Sequence, residues 1–373
     1  MPRCFEFVSS AWHSPAPVGK NPTIGLLKQY LIDILARGVK FPFVHRKALA
    51  FADTYRVSFF PRPSCERRDG ATAQILVYHR VLPQEDPFAI GSITLHDFQQ
   101  QVRMLSSCFR VIGLDQLSHD IRYGRIQPGT VCITFDDGYQ DNYFYAYPVL
   151  KAHNVQATFF LASDFIGTHR LLWHDQIMFA LKNTQIEEFT YNNIFNSPVR
   201  LSDIPSRQRL AITLLEWLKQ FEPNERDSQI RAIAEICEIS NVNDVNEPLM
   251  LNWQQVLEMK EGGMSFGAHT KSHPILSTLS AGAQKEEIVG SKETIEDFLG
   301  TPVCLFAYPN GREKDYDSDT LEVLLQAGFE CAVTTRNGLN TLGCDLLQLN
   351  REQPWELQPD RFAMRLLYQR LTS

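Results

Sequence analysis

An α/β protein built on a largely parallel sheet, closed or nearly closed into a barrel of about seven strands, is the fold this sequence predicts. Three observations carry that reading. Apolar, β-type runs recur from residue 71 onward, and helical patterns lie between most of them. The third is size: 373 residues can bury a sizeable core, and 44% hydrophobic with 21% charged residues is ordinary globular composition. An open doubly wound sheet would satisfy the same alternation.

Residues 1–70 read as a helical or irregular extension that ends in the turn-rich CERRDGATA. Within it, residues 23–36 (TIGLLKQYLIDILA) form a helical pattern with Asn21-Pro22 as start and Gly38 as stop. Its stripe of Leu27, Leu31, Ile34 and Leu35 suits packing on its own domain or, as the other option, peripheral contact with a membrane surface. The barrel unit is expected over 71–373. Its strands are read at 73–79 (AQILVYH), 130–135 (TVCITF), 156–162 (QATFFLA), 264–269 (MSFGAH), 303–309 (VCLFAYP), 330–335 (ECAVTT) and 346–350 (LLQLN). Helices are read at 95–107, 145–153, 253–263, 283–300 and 318–328. Between about 168 and 250 the rhythm breaks. Helical patterns at 206–221 and 226–238 mark this segment as an insertion capping the barrel mouth.

Several function classes are disfavoured. A formal net charge of −7 offers no basic field for nucleic acid. No Gly-rich dinucleotide loop follows the first strand, and no P-loop occurs. The eight cysteines are scattered without C-x-x-C spacing, which fits reduced, buried thiols. No secretory signal and no run long enough to span a membrane is seen, so a cytoplasmic location is expected, with peripheral membrane association through the 23–36 stripe left open.

The chemistry concentrates at two strand ends. In ITFDDGYQDNY, Asp136 and Asp137 stand side by side after an apolar run, where they repel unless a positive charge lies between them. In GAHTKSHP, His269 and His273 are four residues apart after another strand, and Pro274 disfavours helix there. One carboxylate with two imidazoles is the donor set of a catalytic metal site that keeps positions open for water and substrate. The second carboxylate is then free to act as general base.

These motifs resemble those of polysaccharide deacetylases of the NodB-homology type, carbohydrate esterase family 4. The matching stretches are LVYHRV (76–81), TFDDGY (134–139), HTKSHP (269–274) and FAYPNG (306–311), and the resemblance covers about residues 74–352. It implies a distorted (β/α) barrel and a divalent cation, zinc in the first instance. It makes Asp136 the general base and Asp137, His269 and His273 the metal ligands. The resemblance also puts the backbone N–H of Asn310 at the developing oxyanion, with Gly138 and Gly311 allowing close backbone approach. Substrate contacts are expected from Tyr139, Tyr308 and Pro309, and from Trp173 and His174 in the insertion. Two family features differ here. Ala307 occupies the place of an Arg that holds the base carboxylate, and Arg351 occupies the place of an acid His. FAYP-like motifs are similar to those of exopolysaccharide-type members, so the differences suggest a subfamily. Guanidinium cannot donate its proton near neutral pH, so His79, at the end of the first strand, is the candidate acid. His169 and His174 are the weaker options, with Asp136 acting twice as another.

The expected activity is therefore hydrolytic removal of an N-acetyl group from an amino sugar in a polysaccharide, oligosaccharide or glycolipid precursor. A catalytically silent glycan-binding barrel and a hydrolase of a non-sugar amide are the alternatives.

Overall fold

Strands buried on both faces need apolar residues at every position, and the sequence supplies them. The computed structural model describes residues 71–372 apart from residue 244. The 1–70 extension and its 23–36 stripe lie outside the described residues. The sheet strands are β1 (Thr72–Tyr78), β2 (Arg110–Val111), β3 (Thr130–Phe135), β4 (Thr158–Leu161), β5 (Ser265–Ala268), β6 (Leu305–Ala307), β7 (Cys331–Val333) and β8 (Asn340–Thr341). Every residue of β3 and β4 is buried, as expected for parallel strands covered on both sides. Tyr78, Phe135 and Phe159 stack across β1, β3 and β4 with centroids 5.3 and 4.7 Å apart, which helps fix the register Tyr78–Phe135–Phe159.

The strand order is β7-β6-β5-β4-β3-β1-β8, with β2 paired to β3. All pairings are parallel except β8 on β1. Along the path β1-β3-β4-β5-β6-β7 the order never reverses, so the described strands show no switch point, and the doubly wound alternative is excluded. The sheet curls instead into a partial barrel. The stretch 346–350, expected as a strand, is a 3₁₀ turn (Leu346–Gln348) followed by isolated bridges. Leu349 pairs with Val333 of β7 and Glu352 with Leu76 of β1, so the segment between them spans the gap between the sheet's edges. Asp345 favours the turn by accepting the Leu347 N–H, which a strand could not accommodate.

The expected helices form as α1 (Leu95–Cys108), α3 (Tyr147–Ala152), α7 (Trp253–Glu261), α8 (Ala281–Leu299) and α9 (Ser318–Gln326). Two more, α2 (Leu114–Arg122) and α10 (Pro359–Thr372), did not stand out in the sequence pattern. Between β4 and α7 lie α4 (Trp173–Asn183), α5 (Ile204–Leu218) and α6 (Pro223–Ile236), plus a short antiparallel pair, Glu188–Phe189 with Val199–Arg200. These helices enclose an apolar cluster of their own, including Leu181, Leu210, Leu214, Ile230 and Ile233. Asp203 caps α5 by accepting the Ser206 N–H at 2.8 Å. None of the described helices is long and apolar enough to cross a membrane, and the six described cysteines are free.

Candidate active site

A cleft of about 570 Å³ opens at the C-terminal ends of the strands. Asp136, Asp137, His269 and His273 lie in it, and α4 and α5 contribute Trp173, His174, Asp175 and Glu216 to its wall. The backbone there is unusual. Asp137, Thr270, His273 and Asn310 all have positive φ (75°, 64°, 56° and 59°). Asp and Asn tolerate that region, but a β-branched Thr does not adopt it freely, so the loops are held against a local preference. Gly138 (φ 88°) follows the two acids, and a Cβ there would meet Ile166 Cδ1 at 2.8 Å. Gly311 (φ 65°) is similarly closed in, with Thr335 N 2.9 Å from a Cβ position.

Asp137 Oδ1 faces Nε2 of His269 at 3.5 Å and Nε2 of His273 at 3.3 Å. It is fully buried yet makes no well-formed hydrogen bond among the described residues. The donor atoms of the three residues lie within 4.8 Å of one another. Nδ1 of His269 sits 2.7 Å from the Ala307 carbonyl, which assigns the proton to Nδ1 and leaves an Nε2 lone pair toward Asp137. Burial drives the His273 ring down to about 4, so it is neutral near pH 7 and can also offer a lone pair. An orphaned carboxylate oxygen facing two imidazole nitrogens fits a divalent cation better than any protein donor present.

The His loop has its own anchor. Glu287 of α8 accepts the N–H groups of Lys271 and Ser272 at 2.9 and 2.8 Å, and the Ser272 hydroxyl at 2.6 Å. Trp173 Nε1 donates to the His273 carbonyl at 3.2 Å, joining the inserted helices to the same loop.

Asp136 has a different environment. Arg351 donates to both its oxygens at 2.7 Å, to Thr134 Oγ1 at 3.2 Å and, through Nε, to the Thr334 carbonyl at 2.7 Å. The guanidinium is 1% exposed. Burial would raise the Asp136 carboxyl, but the Arg351 charge outweighs it and holds the group below the usual range. An Arg against this carboxylate, absent at Ala307, is thus supplied from the segment that joins the sheet edges.

Of the remaining expected residues, His79 lines the cleft and is half-buried. Asn310 lines it too, and among the described residues neither its backbone N–H nor its buried Nδ2 has a hydrogen-bond partner. Tyr139 reaches the cleft, but its hydroxyl is engaged by His174 Nε2 at 3.0 Å and Asp175 at 2.9 Å, and Arg80 lies 4.8 Å over its ring. Trp173 and His174 line the wall. Tyr308 and Pro309 do not. Tyr308, just past β6, is fully buried, stacks on Tyr316 at 4.1 Å and donates to the Leu347 carbonyl, contacts that hold it away from the cleft. Pro309 is buried beside it. His169 is exposed and outside the cleft lining, with Nδ1 3.0 Å from the Val245 carbonyl.

The family's sequence model, described as polysaccharide deacetylase, matches residues 124–332. The chain belongs to the polysaccharide deacetylase family. A curated relative, YxkH of Bacillus subtilis (strain 168), described only provisionally as a polysaccharide deacetylase, is 23% identical over 59% of this chain. The chain spans half the length of that relative. Two solved structures share the fold of this family member. The deacetylase PplD of Streptococcus pyogenes, solved with acetate, is 20% identical with TM-score 0.53, covering 80% of this chain and 99% of its own. IcaB from Ammonifex degensii is 22% identical with TM-score 0.51, covering 81% and 98%.

Two contributors carry little signal in the sequence. Arg351 stands out there only as the residue in place of a His. Glu287 carries no local signal beyond an acidic helix face.

Proposed function

We propose that this chain hydrolyses the N-acetyl group of an amino sugar in a glycan or glycolipid precursor, using a divalent cation, zinc in the first instance. The observation that carries the reading is the pairing of two buried carboxylates with opposite partners. Asp136 is neutralised by Arg351, and Asp137 faces two imidazoles with an orphaned oxygen. Asp137, His269 and His273 would hold the cation, which supplies Lewis-acid polarisation of water and of the acetyl carbonyl when bound. Asp136, kept ionised by Arg351, accepts the proton of the attacking water. The Asn310 N–H, without a partner among the described residues, donates to the oxyanion as the carbonyl becomes tetrahedral. His79 hands a proton to the departing amine, and Trp173 and His174 shape the wall against which the sugar rests. The reading assigns exopolysaccharide-type chemistry and a cytoplasmic site of action, with membrane contact left to the 23–36 stripe.

Acetate release tests it. N-acetylglucosamine oligomers, lipid-linked N-acetyl sugars and simple amides are offered before and after chelation. The expected result is release from sugars only, abolished by chelator and restored by zinc. Release from simple amides alone, or binding without release, would replace this reading with one of its alternatives.

A further inference from the structure

Trp355 is 57% exposed, an unusual state for the largest apolar side chain, yet it lines the same cleft as Asp136 and His273. It is not loosely placed. The Arg365 guanidinium lies 5.4 Å from the ring centroid. That guanidinium is itself fixed by Glu352 at 2.7 Å, Glu356 at 2.6 Å and the Gln353 carbonyl at 3.0 Å. One indole face is therefore backed by an immobilised cation, and the other is left for a ligand. Gln353 and Asn337, both exposed at the cleft, put amide donors and acceptors beside it. A flat apolar face next to amide groups suits a pyranose ring, which has an apolar C–H face and a hydroxyl edge.

Resting on the deacetylase reading, we propose that Trp355 is a platform for a sugar ring adjacent to the acetylated one. Stacking on the indole strengthens binding in proportion to occupancy of this second position. It therefore sets chain-length preference and leaves the acetyl chemistry to the residues around Asp136.

The test is calorimetric binding of N-acetylglucosamine and its tetramer to the full chain, beside Trp355→Ala and Trp355→Phe. Thermal melts serve as the folding control. Wild type should prefer the tetramer. Trp355→Ala should weaken tetramer binding about tenfold and bring the tetramer-to-monomer affinity ratio toward one, while Trp355→Phe keeps most of the preference. Equal weakening for both ligands would mark Trp355 as merely structural and overturn the proposal, as would a wild type with no preference for the tetramer. Acetate release by wild type with an unaltered ratio in Trp355→Ala would sink the platform alone. A collapsed ratio in a chain that releases no acetate would sink the deacetylase reading alone.

Discussion

Arg351→Ala isolates the contribution of the buried ion pair. The guanidinium makes four hydrogen bonds, two of them to Asp136 at 2.7 Å, and both partners are buried. Removing one member of such a pair leaves an uncompensated charge and costs about 3–5 kcal/mol. In the wild type the Asp136 pKa lies below its unfolded value, because Arg351 outweighs burial. Its contribution to stability is thus present above the unfolded pKa and lost as pH falls through the folded one. Without Arg351, burial is opposed only by the His269 and His79 charges, and the carboxyl is expected to rise above its unfolded value. Stability of the variant then falls as pH rises past that unfolded value, until the folded pKa is reached. Urea melts of both proteins at pH 5 and pH 8 measure this, with the larger difference expected at pH 8. In Arg351→Lys, which keeps the charge but not the fork, the acid limb of the activity profile should move to higher pH. A cost below about 1 kcal/mol, or one independent of pH, would refute the reasoning.

The two carboxylates should separate cleanly. Asp136→Asn is expected to keep its cation and lose about 100- to 10,000-fold in turnover, whereas Asp137→Asn should weaken cation binding in a titration. Glu287→Gln leaves the His loop without its charged acceptor, and a loss of about 10- to 100-fold in zinc affinity is expected from competition with a chelating dye. His79→Ala should slow acetate release with cation affinity almost unchanged. Unaltered kinetics would move the acid role to Asp136 acting twice.

The short-range parts of this site were legible in the sequence. Asp136-Asp137-Gly138 and His269 to His273 each sit within one turn after an apolar run, so composition and spacing alone put them at strand ends. Arg351 was legible only as a residue. Its partner Asp136 is 215 positions away, and the two meet because Leu349 and Glu352 bridge the sheet edges, a closure no periodicity reveals. The same cause undid the strand reading of 346–350, where Asp345 caps a turn. Tyr308 was misplaced because a motif gives position along the chain but not the direction a side chain takes. The polar cluster of Tyr139, His174 and Asp175 joins a barrel loop to an inserted helix, so only the folded arrangement brings it together.

The proposed chemistry requires Asp137, His269 and His273 to hold one divalent cation beside a separately neutralised Asp136. Anomalous diffraction at the zinc edge, on crystals of the zinc-loaded chain, tests it most directly. One strong peak is expected about 2.0–2.2 Å from Nε2 of both histidines and from an Asp137 oxygen, with the Asp136–Arg351 fork intact. A peak at other residues, or no peak among these three, would contradict it.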